Sequence, residues 1–389
     1  MKYLYVLYMV LVSVGCGKYV SQKSPSENSS YLLPEIEWLE TSRKQLINSS
    51  FSQGYYSYPR MIQLSNNDLM YVYECNGNVY MNSSNDLGET WQNDRLIAQR
   101  RDNINATVPE IIVLKNGEII IAYNLRPAQN SNNGYDPAKQ FSIAIKKTSD
   151  KGKNWSEERI LYKGGYHFEN GCWEPAMVQL PDISLYLFFS NEAIYTQSNE
   201  QNISVLKSSD NGNTWSSTPN IISFAKNARD GMPVPIIDNI GKLVFSIEDN
   251  SDGGEFKPSV LTTALPWTGE ILNEHSQKRK KLLRNIFSKE IYAGAPFLRQ
   301  LNTGEFFLSF QTTYKRTHKW NLSTFYMVSF DKEFNKFRIL DPPFRIPNDK
   351  SALWNSFVIL NDNKTIIALT ATNAFNDYNA IWMIKGQIK

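Results

Sequence analysis

Six copies of one hairpin pattern run through this chain, and no other feature constrains its fold as tightly. In each copy an apolar strand enters a polar turn, such as Lys115-Asn116-Gly117-Glu118 or Asn302-Thr303-Gly304-Glu305, and a second apolar strand returns. The first strands fall at residues 60–64, 110–114, 174–180, 232–237, 296–301 and 354–360, and the second strands at 69–73, 119–123, 185–189, 243–247, 306–310 and 365–369. Repeats spaced by about 50 to 66 residues, each a unit that cannot bury its apolar face alone, imply a radial or solenoid array. Room for four short strands per repeat predicts an all-β fold, a six-bladed β-propeller.

A second repeated motif supports this. Ser84-Asn85-Asp86-Leu87-Gly88-Glu89-Thr90-Trp91 returns as Thr148-Ser149-Asp150-Lys151-Gly152-Lys153-Asn154-Trp155 and as Ser208-Ser209-Asp210-Asn211-Gly212-Asn213-Thr214-Trp215. This is the Asp-box, a hairpin turn in which hydroxyl and carboxylate take up backbone N–H groups, glycine adopts positive φ and tryptophan packs beneath. Blades four and five carry eroded versions near Thr262 to Trp267 and Ser329 to Phe337. Each loop has too few spaced carboxylates for a calcium shell, so the boxes are expected to be structural turns between third and fourth strands.

The last repeat supplies three strands, and the segment at residues 44–47 has no hairpin partner of its own. It is expected to close the ring as the outer strand of blade six, since an open ring would leave exposed edges. The basic run Lys278-Arg279-Lys280-Lys281 reads as a solvated helix face. Cys75 and Cys172 lie in different repeats and are expected to stay unpaired.

At the N-terminus, Met1-Lys2 precedes a short apolar run that ends in Gly15-Cys16. Residues 1–16 read as an export signal, with Cys16 at the position of a lipidated cysteine, or alternatively as a plain secretion signal. Residues 17–35 form a polar tether and 36–389 the propeller domain. The localisation expected is the cell surface, the periplasm or the medium, with membrane contact only through the lipid. With 41 Lys+Arg against 38 Asp+Glu the net charge is +3, which argues against a nucleic-acid partner. No cofactor is called for, and a monomer is expected.

In a propeller, starts of first strands and ends of second strands converge around the axis. Arg60, Glu110, Glu174, Arg229, Asp230, Tyr292 and Trp354 come from the first set. The second contributes Glu74, Asn124, Arg126, Glu192, Glu248, Asp249 and Gln311. Such a funnel suits a small ligand, here the end of an oligosaccharide or polysaccharide. Two carboxylates without a cofactor suffice for glycoside hydrolysis, one as acid and one as nucleophile or base. Glu174 and Glu248, from adjacent blades, are the candidate pair. Trp173 beside Glu174 would raise its pKa by desolvation. Each also has a plainer reading: Glu174 as partner of Arg229, Glu248 as a solvated loop acid. Tyr292 is a candidate to support the nucleophile. Arg60, Glu110, Trp173, Glu192, Arg229, Asp230 and Trp354 are candidate substrate contacts, with rim ion pairs as the alternative for the charged ones.

From about Glu35 onward the chain resembles the sialidase superfamily, on its three Asp-boxes and six repeats. Tyr58-Pro59-Arg60 matches the first arginine of sialidases. Ala293-Gly294-Ala295-Pro296 lacks the blade-five arginine of their carboxylate clamp. Trp173-Glu174-Pro175, Asn191-Glu192, Asp230-Gly231-Met232-Pro233 and Glu248 look more like the exo-α-L-arabinanases of glycoside hydrolase family 93. That resemblance implies a retaining exo-enzyme, with Glu174 as acid/base and Glu248 as nucleophile.

Overall fold

Each of the six repeats forms a four-stranded antiparallel sheet. The computed structural model describes residues 32–46, 54–92, 94–129 and 135–389. Cys16, the signal and the tether to residue 31 lie outside these residues.

Alternating apolar residues of the innermost strands fix the blades around the axis. The innermost and second strands are Tyr56–Gln63 with Leu69–Cys75 in blade one and Ile104–Val113 with Ile119–Pro127 in blade two. Blade three has Cys172–Gln179 with Leu185–Asn191, and blade four Asp230–Ile237 with Leu243–Asp249. Blades five and six follow with Ala293–Gln300 and Phe306–Thr312, then Ala352–Ile359 and Thr365–Thr372. Apolar clusters fill the spaces between adjacent blades; Val178, Tyr186 and Phe188 of blade three, for example, pack on Phe245 and Leu261 of blade four. Stability therefore comes from stacking sheet on sheet around a circle.

The ring closes as expected, by a longer strand than the sequence indicates. Ile36–Gln45 pairs antiparallel with Ala380–Ile388 on the outside of blade six, with a register break between Leu39 and Lys44. Within this strand Ile36 alone is buried, so it lacks the apolar alternation that marks the others.

The Asp-boxes are turns bonded to themselves. In the first, Ser84 Oγ donates to Asp86 at 2.6 Å, Gly88 N donates back to Ser84 Oγ at 2.8 Å, and Thr90 N donates to Asp86 at 2.9 Å. The same bonds hold Asp150 and Asp210, and these hydrogen bonds lower both carboxyls to about 2. Cys75 and Cys172 are buried free thiols.

The run at 278–281 departs from expectation. Arg279–Lys281 is the outer strand of blade four, not a helix. Arg279 is buried and donates to Asp230 and to Asp249, the latter at 3.1 Å. A guanidinium that satisfies two buried carboxylates cannot be recognised from neighbours that are all lysine; the carboxylates lie 49 and 30 residues away.

Candidate active site

The innermost strand of every blade carries a bulge at the same place. Pairing with the second strand breaks between Ser57 and Arg60, Thr107 and Glu110, Trp173 and Ala176, Gly231 and Val234, Gly294 and Phe297, and Leu353 and Ser356. Two residues there oppose one on the partner strand, which bends the strand and aims a side chain out of the ladder. The first of each pair has positive φ: Tyr58 50°, Val108 51°, Glu174 47°, Met232 50°, Ala295 49° and Trp354 57°. In five blades the second is proline, a residue that tolerates the missing ladder bond.

These six residues form a ring. Tyr58, Val108, Met232 and Ala295 cluster with Trp354 into an apolar plug. Glu174 is the sole acid in the ring. The ring's backbone is held from the preceding blade. The amide N–H of Glu174 donates to Asn124 at 2.9 Å, Met232 to Ser190 at 3.0 Å, Ala295 to Glu248 at 2.9 Å and Trp354 to Gln311 at 2.8 Å. Val108 makes a longer bond, 3.4 Å, to Glu74. Ala371 fills the matching position in blade six and has no side-chain acceptor for Tyr58. Strained backbone of this kind persists where its surroundings over-determine it, and it clusters at functional sites.

Above the ring opens a cavity of about 390 Å³. Glu174 and Glu248 both line it. Burial, then the neighbouring Glu248 charge, raises Glu174 to about 7; Ser190 Oγ donates to its carboxylate at 3.0 Å. Burial likewise raises Glu248 to about 7, against the opposing pull of the Ala295 N–H and Arg229. The arrangement therefore holds two carboxyls whose protonated forms are favoured up to near neutrality. A Cβ on Gly294 would collide with both the Tyr292 hydroxyl and the Glu248 carboxylate, so glycine there leaves room for both. Tyr292 itself is buried, accepts a hydrogen bond from Gln311 Nε2 at 3.0 Å, and is kept neutral by that burial. It stands behind Glu248 rather than in the cavity wall.

The other candidates fall into three groups. Trp173, Arg229 and Trp354 line the cavity with the two glutamates. Glu192 lies behind that wall, 2% exposed, where it pairs with Arg229 and accepts from Trp173 Nε1 at 2.8 Å. Burial raises its pKa while Arg229 lowers it. Arg229 is thus the partner of Glu192 and not of Glu174. Arg60, Glu110 and Asp230 are corrected from cavity contacts to interior groups. Arg60 and Glu110 pair with each other at 3.3 Å under the ring. Asp230 is fully buried against Arg279 and Ser223. Neighbours on a strand point to opposite faces, so Arg229 in the cavity wall turns Asp230 into the blade interface.

Several lining residues carried no assigned role in the sequence. Arg126 lies over the Trp173 ring at 4.7 Å; its buried Nε has no hydrogen-bond partner and, among the described residues, its guanidinium has no ion pair. Tyr58 stacks on Trp354 at 4.4 Å, and Trp320 approaches the same indole at 6.3 Å. Trp320 and Phe168 enter from short 3₁₀ turns in connecting loops, Trp320–Leu322 and Phe168–Asn170. Glu74 accepts from Ser57 at 2.9 Å and from Thr107. One sequence signal was available for the ring: the aligned pairs Tyr58-Pro59, Val108-Pro109, Glu174-Pro175, Met232-Pro233 and Ala295-Pro296, a column in which Glu174 is the odd member.

Comparison with known proteins gives a consistent picture of the fold. Residues 128–232 match a BNR repeat-like domain. No curated protein matches the chain in sequence. Among solved structures, a Dyadobacter fermentans protein of unknown function superposes with a TM-score of 0.68 at 14% identity, covering 91% of this chain and 100% of that one. The family 93 α-L-arabinofuranosidase of Fusarium graminearum, solved with arabinobiose, superposes with a TM-score of 0.66 at 15% identity over 90% and 97% of the two chains. Trypanosoma rangeli sialidase, solved with sialic acid, gives 0.59 at 12% identity, over 90% of this chain and 58% of its own. The chain shares their propeller fold.

Proposed function

We propose that this chain is an exo-acting, retaining glycoside hydrolase that removes terminal sugars from an arabinan-like glycan. One observation carries the reading: Glu174 and Glu248 line the same cavity, and both are raised to about 7. Acid-assisted double displacement requires one protonated and one ionised carboxyl, and a pair raised to near neutrality can supply both.

The surroundings support a division of roles. Glu248 accepts the Ala295 N–H and lies near Arg229, both of which favour its charged form. Glu174 feels the Glu248 charge, which favours its protonated form. Glu174 then donates its proton to the glycosidic oxygen as that C–O bond breaks. Glu248 attacks the anomeric carbon and forms a glycosyl ester. Water, deprotonated by Glu174, attacks the same carbon and frees the Glu248 carboxylate. The apolar plug closes the cavity floor, which suits a chain end better than a chain middle. Tyr58, Trp354 and Trp320 offer a surface for sugar stacking.

The sialidase reading has weaker support. Two arginines line the cavity, and Arg229 is tied to Glu192, while Arg60 is withdrawn beneath the floor. Export and lipidation at Cys16 belong to the same proposal; radiolabelled fatty acid retained by the wild type and lost in Cys16→Ala supports them.

The test is hydrolysis of arabinan oligosaccharides and of a sialyl aryl glycoside by the wild type, Glu174→Gln and Glu248→Gln. Arabinan turnover lost in both variants supports the reading. Sialoside turnover alone overturns the substrate and the nucleophile. Sugar binding without turnover of any glycan overturns the enzyme in favour of a glycan-binding module.

A further inference from the structure

Beneath the ring, on the propeller axis, lies a second and much smaller cavity of about 20 Å³. Its size admits one water molecule. Arg60, Glu110 and Glu174 all border it, with Pro175 and Met232 among its apolar walls. Glu174 therefore borders two spaces: the candidate substrate cavity above, and this small pocket below. Arg60 Nε lies 3.3 Å from Glu110, and its guanidinium also donates to the carbonyls of Pro59 at 2.9 Å and Trp354 at 3.1 Å, both bulge residues of the ring. Arg299, stacked over Phe297 at 4.2 Å, is a second, partly buried cation felt by Glu110. Two guanidiniums and one carboxylate make an axial cluster with an excess positive charge. Buried charge of this kind is expensive, and it is weak evidence for stability. A structural account alone leaves unexplained why it sits against the one acidic member of the ring.

We propose that the Arg60–Glu110 pair is a positioning element that acts on Glu174 from below and fixes whether it presents an acid or a carboxylate to substrate. The proposal rests on Glu174 serving as the acid/base, but its test does not depend on turnover. The other groups facing Glu174 are accounted for. From the cavity side they are Glu248, Arg126 and Glu192, the last paired with Arg229. From its own strand it is Cys172 and from other blades Tyr58 and Tyr292, all kept neutral by burial. Arg60 is the charged group that reaches it from beneath.

The two members of the pair have opposite effects. Glu110→Gln keeps the side-chain shape and leaves Arg60 and Arg299 uncompensated, so the field at Glu174 becomes more positive and its carboxylate form is favoured. Arg60→Met leaves Glu110 facing Arg299 alone, so the field becomes less positive and the protonated form is favoured. Each change moves the Glu174 midpoint by about one pH unit, in opposite directions.

The experiment is a pH titration of the intact protein labelled with ¹³C at glutamate carboxyls, with Glu174 assigned by the signal lost in Glu174→Gln. A midpoint that falls in Glu110→Gln and rises in Arg60→Met supports the proposal, whether or not any glycan is cleaved. A midpoint unmoved in both variants, or shifted the same way in both, overturns it. If Arg60→Met fails to fold, Glu110→Gln decides alone: a fall supports the pair and an unmoved or raised midpoint overturns it. Absence of hydrolysis in a wild type whose midpoint still responds as described would remove the enzymatic reading and leave the electrostatic one standing.

Discussion

Glu248 accepts the amide hydrogen of Ala295 at 2.9 Å, joining the second strand of blade four to the ring residue of blade five. Gln311 performs the same service for Trp354, Ser190 for Met232 and Asn124 for Glu174. An acceptor thus recurs in five of the six blades, and the charge is particular to Glu248 and Glu74. A carboxylate that had only to hold the ring together could be an amide, as it is in blade five.

That separation gives the first prediction. Glu248→Gln retains the acceptor and folds at least as stably as the wild type at neutral pH, yet loses glycan turnover on the order of 10³-fold. Glu248→Leu removes the acceptor as well and leaves the Ala295 N–H unsatisfied, which costs about 1–3 kcal/mol. Thermal melts and initial rates of the two variants separate the roles. Equal rates in wild type and Glu248→Gln would show that the carboxylate only caps.

The raised pKa values also predict how stability varies with pH. Glu174 and Glu248 rise from the ordinary carboxyl value of 4.5 to about 7 in the folded protein, so the folded state holds more protons than the unfolded chain across that window. Stability contributed by the protonated forms is complete below about 4.5 and lost as pH rises towards 7. Replacing either glutamate by glutamine removes that loss. Since both carboxyls are partly open to the cavity, the gain above pH 7 is about 1–2 kcal/mol per site, well under the full shift. Melting temperatures of wild type and variants should coincide near pH 4.5 and diverge by pH 8, with the variants higher. Parallel curves would remove the claim that the pair is strained at neutral pH.

The propeller was readable because its evidence is local and repeated: apolar strands of period two, polar turns, and three Asp-boxes whose serine or threonine, aspartate and glycine bond within eight residues. Glu174 and Glu248 could be picked for the same reason, as each sits at a predictable strand end. Arg60 and Glu110 were misplaced because their side-chain directions depend on a bulge that shifts register by one residue and on each other across two blades, and Asp230 because its partner lies on the outer strand of its own blade. Arg279 completes Asp230 from 49 residues away, and no pattern within the run Lys278 to Lys281 distinguishes it from its lysine neighbours. Trp320 enters from a connecting loop without periodicity, which is why it carried no signal.

Arg279 supports a stability prediction independent of catalysis. It is fully buried between Asp230 and Asp249, which are themselves unexposed. Arg279→Met leaves two carboxylates without their shared cation, and loss of such a partner costs about 3–5 kcal/mol. Lys281→Met, which removes a partly exposed pair with Asp252, should cost less than about 1 kcal/mol. Chemical denaturation of both variants tests the contrast. Similar midpoints would mean that the Arg279 cluster contributes little beyond packing.

The aromatic wall provides the last prediction. Trp354 is stacked on Tyr58 with ring planes 17° apart, and its indole faces the cavity between Tyr58 and Trp320. Its backbone N–H is held by Gln311 independently of the ring, so Trp354→Ala removes the platform and spares the cap. Stacking of one aromatic face is worth about 0.5–1.5 kcal/mol beyond the area buried, which corresponds to a loss of about 2- to 13-fold in kcat/KM. Because the contact is made in both ground and transition states, the loss should appear in KM while kcat stays close to wild type. The pH profile, governed by Glu174 and Glu248, should not move. A fall in kcat with unchanged KM would place Trp354 against the reacting sugar ring rather than beneath a neighbouring unit, and would move the cleavage point towards blade six.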